Sequence, residues 1–187
     1  AGIPYVLTAH LGDVPGGVPE KTGRWFRRIY PFTPPIWKRA RRVVAVSEHT
    51  RQLALKHYTV PIQVIPNGVD LSDLEPGKIH PGDPPQIVFA GRFVAQKNPL
   101  QIIRTLARLR HLPWHCVMAG DGPLRLEMDA EIQKQGLSER FTLPGWITPE
   151  QVIDCYRESD VLFMPSLSEG FPVAGVQGLA MGLAVVA

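Results

Sequence analysis

The chain ends in PSLSEGFPVAGVQGLAMGLAVVA (residues 165–187), and this stretch guides the interpretation of everything before it. It follows an apolar run at residues 160–164, DVLFM, which is typical of a buried strand. A polar loop at 166–170 follows, and then a helix of small residues that starts near Pro172, a residue suited to a first helical position. We therefore predict a strand, a loop and a helix N-terminus that can bind an anion at the carboxyl edge of a sheet. The small residues let this helix approach a ligand or a neighbouring strand closely.

The bulk composition is that of an ordinary globular protein. The 187 residues are 44% hydrophobic and 20% charged, and no apolar run is long enough to span a bilayer. Cys116 and Cys155 lack metal-ligand spacing, and the six histidines form no cluster with Cys or carboxylates, so we expect reduced packing thiols and no bound metal. Because the chain starts with Ala1 and stops inside a predicted strand, we expect it to be part of a longer protein.

Positive charge is concentrated in the first part of the chain. Residues 1–80 contain eleven Lys and Arg against six Asp and Glu, whereas residues 81–187 contain nine against eleven. The segment 21–42 alternates eight of these cations with aromatic and aliphatic residues, and its prolines divide it into two short helical pieces. Such a segment can bind nucleic acid, dock on a membrane interface, or be a solvated helix face, which is the commonest of the three.

Strand and helix patterns divide the chain into two parts. The first part closes at the turn Pro66-Asn-Gly-Val-Asp70, where we expect Asn67-Gly68 to supply positive φ angles. Residues 71–85 are rich in Pro and Gly, which indicates a linker. After it, five strands alternate with helices, which predicts a doubly wound parallel sheet. The predicted strands are residues 4–9, 42–47, 62–65, 86–90, 114–118, 141–143, 160–164 and 183–187. Among the predicted helices, one opens at Ser47-Glu48 and runs through Tyr58, and another starts at Pro149 and runs to about Arg157.

Two further loops follow predicted strands of the second part. In Gly91-Arg-Phe-Val-Ala-Gln-Lys-Asn98, the side chains of Arg92 and Lys97 suit a pyrophosphate, because the first offers a two-pronged donor and the second a point charge. The loop Gly120-Asp-Gly-Pro123 is not a dinucleotide fingerprint, since Arg125 stands where the third glycine would be. This departure argues against a Rossmann-type dehydrogenase.

These motifs, taken in order, resemble those of the retaining family-4 glycosyltransferases, the glycosyl transferases group 1, which have the GT-B fold. The resemblance covers nearly the whole chain, and its one clear departure is Gln177, eight residues after Glu169, where the family pattern has a second Glu. It implies an α/β protein of two Rossmann-like doubly wound domains, both incomplete here. Residues 1–70 would be the C-terminal part of the N-terminal, acceptor-side domain, and 86–187 the N-terminal part of the C-terminal, nucleotide-sugar donor domain. The motifs that carry the resemblance are Thr8-Ala-His10 with its Gly/Asp loop, Val46-Ser-Glu48, Pro66-Asn-Gly-Val-Asp70, Gly91-Arg92 with Lys97, Gly120-Asp-Gly-Pro123, and Glu169-Gly-Phe-Pro172 with Gln177.

The resemblance also implies a function. It is a metal-independent, retaining transfer of a sugar from a nucleoside diphosphate donor to a glycan, a lipid-linked or a small-molecule acceptor, as in polysaccharide biosynthesis. The donor is a substrate, so no cofactor is implied. Glu169 would bind sugar hydroxyls, Gln177 the ribose, and His10 would approach the sugar from the other domain. The implied catalytic residues are Glu169, His10, Arg92 and Lys97. The implied donor-binding residues are Arg92, Lys97, Gly120, Gly122, Trp146, Ile147, Glu169, Gly170, Phe171, Val173 and Gln177.

One alternative stays open, a non-catalytic module that binds a nucleotide sugar, which Gln177 allows. For partners we expect the donor and the acceptor, no nucleic acid, and an anionic membrane surface that the segment 21–42 could reach. We expect the protein to be in the cytoplasm, either free or bound peripherally to the inner face of the membrane.

Overall fold

The computed structural model describes residues 2–18, 28–72, 74–76 and 82–187. The chain forms two compact units. The first consists of Ala1–Gly68 together with Ser168–Pro172, and the second of Val69–Leu167 together with Val173–Ala187. Each unit has its own sheet and its own buried core.

The first unit is built on three parallel strands in the order β1-β2-β3. Its core includes Trp37 and Tyr58, whose rings stack 3.9 Å apart, against the buried faces of β1 and β2. Ser47 caps the helix after β2, because its side chain accepts a hydrogen bond from the N–H of Thr50 at 3.1 Å. The elements are β1 (Val6–Ala9), α1 (Thr33–Arg39), β2 (Arg42–Ala45), α2 (Glu48–Leu55) and β3 (Ile62–Val64), with 3-10 turns at Leu11–Asp13 and Tyr30–Phe32.

The second unit is built on five parallel strands in the order β6-β5-β4-β7-β8. The chain moves outward from β4 to β6 and then returns to the other side of β4. In sheets of this kind the reversal opens a crevice at the carboxyl ends of the central strands, here β4 and β7. The elements are β4 (Gln86–Ala90), α3 (Pro99–Arg108), β5 (His115–Ala119), α4 (Arg125–Lys134), β6 (Phe141–Gly145), α5 (Pro149–Arg157), β7 (Val161–Phe163), α6 (Val173–Ala180) and β8 (Ala184–Val186), with 3-10 turns at Ala95–Lys97 and Ser138–Arg140.

The predicted doubly wound parallel sheets are confirmed. All eight predicted strands are present, with ends that differ by at most two residues. The small-residue helix begins at Val173, one residue after Pro172. Its predicted close approach to a strand is also confirmed, because a Cβ placed on Gly178 would lie 2.6 Å from Cδ2 of Leu162 in β7.

Three expectations need comment. The turn prediction at Asn67-Gly68 is wrong, because neither residue has a positive φ. In the basic segment 21–42, the described part forms the turn Tyr30–Phe32 and α1, while residues 21–27 lie outside the described residues. In the stretch predicted as a linker, Leu74 is buried in the core of the second unit, and residues 73 and 77–81 lie outside the described residues.

Candidate functional site

The loops that follow β4 and β5 meet at the carboxyl edge of the second sheet. The N–H of Gly91 donates to the carbonyl of Ala119 at 2.9 Å, and the N–H of Phe93 donates to the carbonyl of Asp121 at 2.9 Å. Arg92 is exposed between these two anchored residues. Its backbone is therefore fixed, while its guanidinium is open to solvent.

Gly120 and Gly122 allow this close approach. Their φ angles are +137° and +155°, a region that side chains disfavour. A Cβ on Gly120 would lie 1.9 Å from the carbonyl oxygen of Gly91, and one on Gly122 would lie 2.6 Å from that of Phe93. The two backbones can touch only because both positions are glycine.

A cavity of about 320 Å³ opens at this edge of the sheet. It brings together four of the predicted donor-binding residues, Gly120, Trp146, Ile147 and Gln177. Most of its walls are apolar, with the indole of Trp146 and the amide of Gln177 among the few polar groups. A largely apolar cavity with a few polar groups suits a flat organic ligand such as a nucleobase. The remaining lining residues are Ala90, Gly91, Ala119, Pro149, Val152, Tyr156 and Ala174.

Sequence reasoning missed most of these other lining residues. Ala90 and Ala119 end β4 and β5, so their place at the carboxyl edge was a usable signal. Tyr156 carried no such signal, because it lies in the last turn of helix α5 and not at a strand end. It is fully buried, and burial raises the pKa of its hydroxyl. That hydroxyl has no hydrogen-bond partner within the described chain.

The other predicted residues of the second unit do not line this cavity: Arg92, Lys97 and Gly122 follow β4 and β5, and Val173 begins α6. Lys97 ends the turn Ala95–Lys97 and is half-buried, and its N–H donates to the carbonyl of Val94 at 3.0 Å. Gly122 lies in the loop after β5, and Val173 is the exposed first residue of α6. The cavity therefore gathers the candidate base-binding residues, and the candidate diphosphate-binding residues stand on the neighbouring loops.

His10, Glu169, Gly170 and Phe171 belong to the first unit. His10 is exposed and precedes the turn Leu11–Asp13, where its N–H donates to the Asp13 carboxylate at 3.0 Å. Gly170 packs near Leu11, the residue that follows His10, since a Cβ built on Gly170 would lie 3.3 Å from Cβ of Leu11. The structure thus brings the half-buried Glu169 and its loop to the turn that follows His10.

The described residues contain neither a candidate metal site nor a helix that could span a membrane. Their His, Cys, Asp and Glu side chains form no group of three that could hold a metal ion. None of the helices in the same ranges combines the length and the apolar character needed to cross a bilayer.

Comparison with known proteins identifies the family. Residues 73–187 match the family model described as Glycosyl transferases group 1, and residues 1–73 match the model described as Glycosyltransferase Family 4. Because the first match covers more than half of the chain, the chain belongs to the glycosyl transferases group 1 family. The predicted family is confirmed at this level.

Individual relatives agree with this assignment. The D-inositol 3-phosphate glycosyltransferase of Nocardia farcinica is 30% identical over 220 residues, an alignment that covers 99% of this chain and 46% of that protein. Sucrose-phosphate synthase from Thermosynechococcus elongatus has a similar structure, with a TM-score of 0.83 at 21% identity, over 99% of this chain and 50% of that one. Anabaena HepE, solved with UDP and glucose, gives 0.79 at 19% identity, over 98% and 52%.

Two statements follow from these comparisons. The Rossmann-like parallel sheets match those of GT-B glycosyltransferase structures, as the sequence predicted. The chain spans about half the length of the curated relatives it matches.

Proposed function

We propose that the protein containing this chain transfers a sugar from a nucleoside diphosphate donor to an acceptor. The observation that carries this proposal is the cavity bounded by Gly120, Trp146, Ile147 and Gln177 beside the loop that bears Arg92. A related structure was solved with UDP and glucose. The base would occupy the cavity, and the diphosphate would lie towards the loops after β4 and β5.

The chemistry assigned to each residue follows from the charge that develops during the reaction. When the bond between the sugar and the diphosphate breaks, negative charge grows on the departing oxygen. Arg92, Lys97 and the free N–H groups at the start of α6, near Val173, can stabilise that charge without a metal. Retention requires the acceptor oxygen to attach on the face that the diphosphate leaves.

The remaining predicted residues take positions around the sugar and the ribose. The Glu169 carboxylate would accept hydrogen bonds from donor-sugar hydroxyls, with Gly170 and Phe171 beside it, and His10 would approach the same sugar. Gln177 lines the cavity, where its amide oxygen can accept a hydrogen bond from a ribose hydroxyl. An amide binds a diol more weakly than a carboxylate does, but it does not repel a nearby diphosphate.

The proposal is tested first through nucleotide binding. In the complete protein, Arg92→Ala should cost roughly 1.5 to 3 kcal/mol of affinity for UDP, GDP or ADP, whichever binds, because hydrogen bonds to charged groups are worth that much. Titration calorimetry measures this loss. Arg104→Ala is the matched control, since Arg104 is an exposed arginine on α3 and should leave the affinity unchanged. Equal affinity of Arg92→Ala and the parent would refute the diphosphate role.

A transfer assay then separates the enzyme from the alternative, a non-catalytic module that binds a nucleotide sugar. The complete protein should release the nucleoside diphosphate from the matching sugar donor in the presence of an acceptor. If the protein binds the nucleotide but never cleaves the nucleotide-sugar donor, the non-catalytic module is favoured instead. Gln177 permits this alternative.

We also propose that the acceptor is lipid-linked and that the protein docks on the inner face of an anionic membrane. Phe32, the residue that precedes α1, and Ile36 within it are 74% and 50% exposed, four residues apart in sequence. Residues 28–47 contain five cations and no carboxylate. Exposed apolar groups flanked by cations alone favour a peripheral contact with anionic lipid.

A further inference from the structure

The side chain of Asn67 has a role that the turn chemistry of its motif does not explain. Neither Asn67 nor Gly68 adopts the positive φ for which such a pair is normally selected. The Asn67 amide instead donates from Nδ2 to the carbonyl oxygen of Phe171 at 2.7 Å, across 104 residues of sequence. Both residues belong to the first unit.

The loop at 168–172 is held at two other points in the same unit. The hydroxyl of Ser168 donates to the carbonyl of Gly17 at 3.1 Å. Gly170 lies so close to β2 and its following loop that an added Cβ would be 3.2 Å from Cγ2 of Val46. Glu169 therefore sits between anchored neighbours, Ser168 on one side and Gly170 and Phe171 on the other.

The contact with Asn67 orients the loop on its C-terminal side. A carbonyl that accepts a short hydrogen bond loses the freedom to rotate with its peptide plane, and Phe171 is only two residues from Glu169. The residue after Phe171 is Pro172, whose fixed φ leaves few ways to absorb a rotation of that plane. Loss of the contact would let the backbone of Glu169 move relative to the first sheet.

We propose that Asn67 is a positioning residue, which holds the loop at 168–172 so that the Glu169 carboxylate meets the hydroxyls of the donor sugar. This inference rests on the proposed function. Asn67 acts through the backbone of Phe171 and touches no substrate. Its amide is required because it must donate, and a carboxylate of the same shape would instead place an acceptor against the carbonyl oxygen.

The experiment uses two variants of the complete protein, Asn67→Asp and Asn67→Ala. Both should lower kcat/KM for the nucleotide-sugar donor at least tenfold, because Glu169 is no longer held in place. Affinity for the nucleoside diphosphate without its sugar should stay within twofold of the parent, since Arg92 and the cavity belong to the second unit. A general structural defect would weaken both, and thermal unfolding of each variant identifies such a defect directly.

A double-mutant cycle tests whether the effect passes through Glu169. Once Glu169→Ala has removed the carboxylate, adding Asn67→Asp should change kcat/KM by less than twofold. Three results would overturn the proposal when the parent is active. Asn67→Asp could match the parent in kcat/KM, or the losses in kcat/KM from Asn67→Asp and Glu169→Ala could multiply in the double variant. The third is a loss of nucleoside diphosphate affinity as large as the loss of activity. A parent without any transfer activity would refute the proposed function, which is a different outcome.

Discussion

Gly120 shows how little space separates the loops that border the candidate site. A methyl group on residue 120 would lie only 1.9 Å from the carbonyl oxygen of Gly91. The alanine would also have to adopt a φ of +137°, which side chains disfavour. Backbone strain and overpacking each cost roughly 1 to 3 kcal/mol, so Gly120→Ala should lower the free energy of unfolding by roughly 2 to 6 kcal/mol. Urea unfolding measures this change.

The control for Gly120 is Gly136, which also has a positive φ, +68°, but has open space around it. Gly136→Ala should cost only about 1 to 2 kcal/mol, the price of a left-handed alanine. If both variants lose the same free energy, the close approach of the two loops is not what requires glycine at position 120.

At the level of single residues, the sequence predicted local motifs but not the contacts that those residues make with distant parts of the chain. The Gly120-Asp-Gly-Pro123 loop was recognised from its letters, but its obstacle, Gly91, lies 29 residues earlier and no local pattern connects the two. The turn prediction at Asn67-Gly68 failed for the same reason, since the Asn67 amide donates a hydrogen bond to a residue 104 positions later. The roles of Arg92, Lys97, His10 and Glu169 in catalysis stay predictions.

Elements were predicted more reliably than residues, because hydrophobic periodicity is local. Strand β4 and helix α5 were placed without error, since an uninterrupted apolar run and a capped helix each mark both of their ends. Thr148 and Gln151 form the capping box that starts α5. Helix α2 ends at Leu55 and not at Tyr58, because no glycine or proline marks its end and the chain passes through a turn before Pro61.

The cations at the end of α1 and directly after it allow a direct test of the membrane proposal. Each cation near an anionic surface contributes on the order of 1 kcal/mol, so Arg39→Gln, Arg41→Gln and Arg42→Gln together should abolish most cosedimentation with anionic liposomes at low salt. Added salt should weaken binding by the parent, because it screens the attraction.

The matched control for this test carries Arg104→Gln, Arg108→Gln and Lys134→Gln, three exposed cations of the second unit. It loses the same net charge, so it should still bind if the cations at the end of α1 and directly after it are responsible. Equal loss in both triple variants would point to net charge alone. A parent that ignores anionic liposomes at low salt would leave the segment as a solvated face.

At the scale of the whole molecule, the alternation of strands and helices predicts the number and kind of sheets but not which unit each segment joins. The loop at Ser168–Pro172 belongs to the first unit although both of its neighbours along the chain belong to the second. Composition marked residues 71–85 as a linker through their Pro and Gly content, but it could not show that Leu74 is buried. Both features depend on contacts between residues far apart in sequence.

The second unit should lose stability as the pH rises above about 9, because of Cys116. This thiol is fully buried, and burial raises its pKa from an ordinary value of 9.0. Between pH 9 and that raised value, the unfolded chain releases the proton and the folded chain keeps it, so stability falls as pH rises. Because pH 10 lies about one unit above the ordinary pKa, the loss of stability there should be on the order of 1 kcal/mol.

Cys116→Ala isolates this contribution in the complete protein. The variant should be less stable than the parent at pH 8, because it leaves a cavity in the core. Between pH 8 and pH 10, however, it should lose roughly 1 kcal/mol less than the parent, since its unfolded state lacks the Cys116 thiol that would ionise over this interval. Met118→Ala empties a fully buried position on the same strand and carries no titrating group, so its loss over this interval should equal that of the parent. Urea unfolding of the three proteins at both pH values decides the matter, and a parallel loss in Cys116→Ala would mean that the buried thiol does not control the alkaline limit.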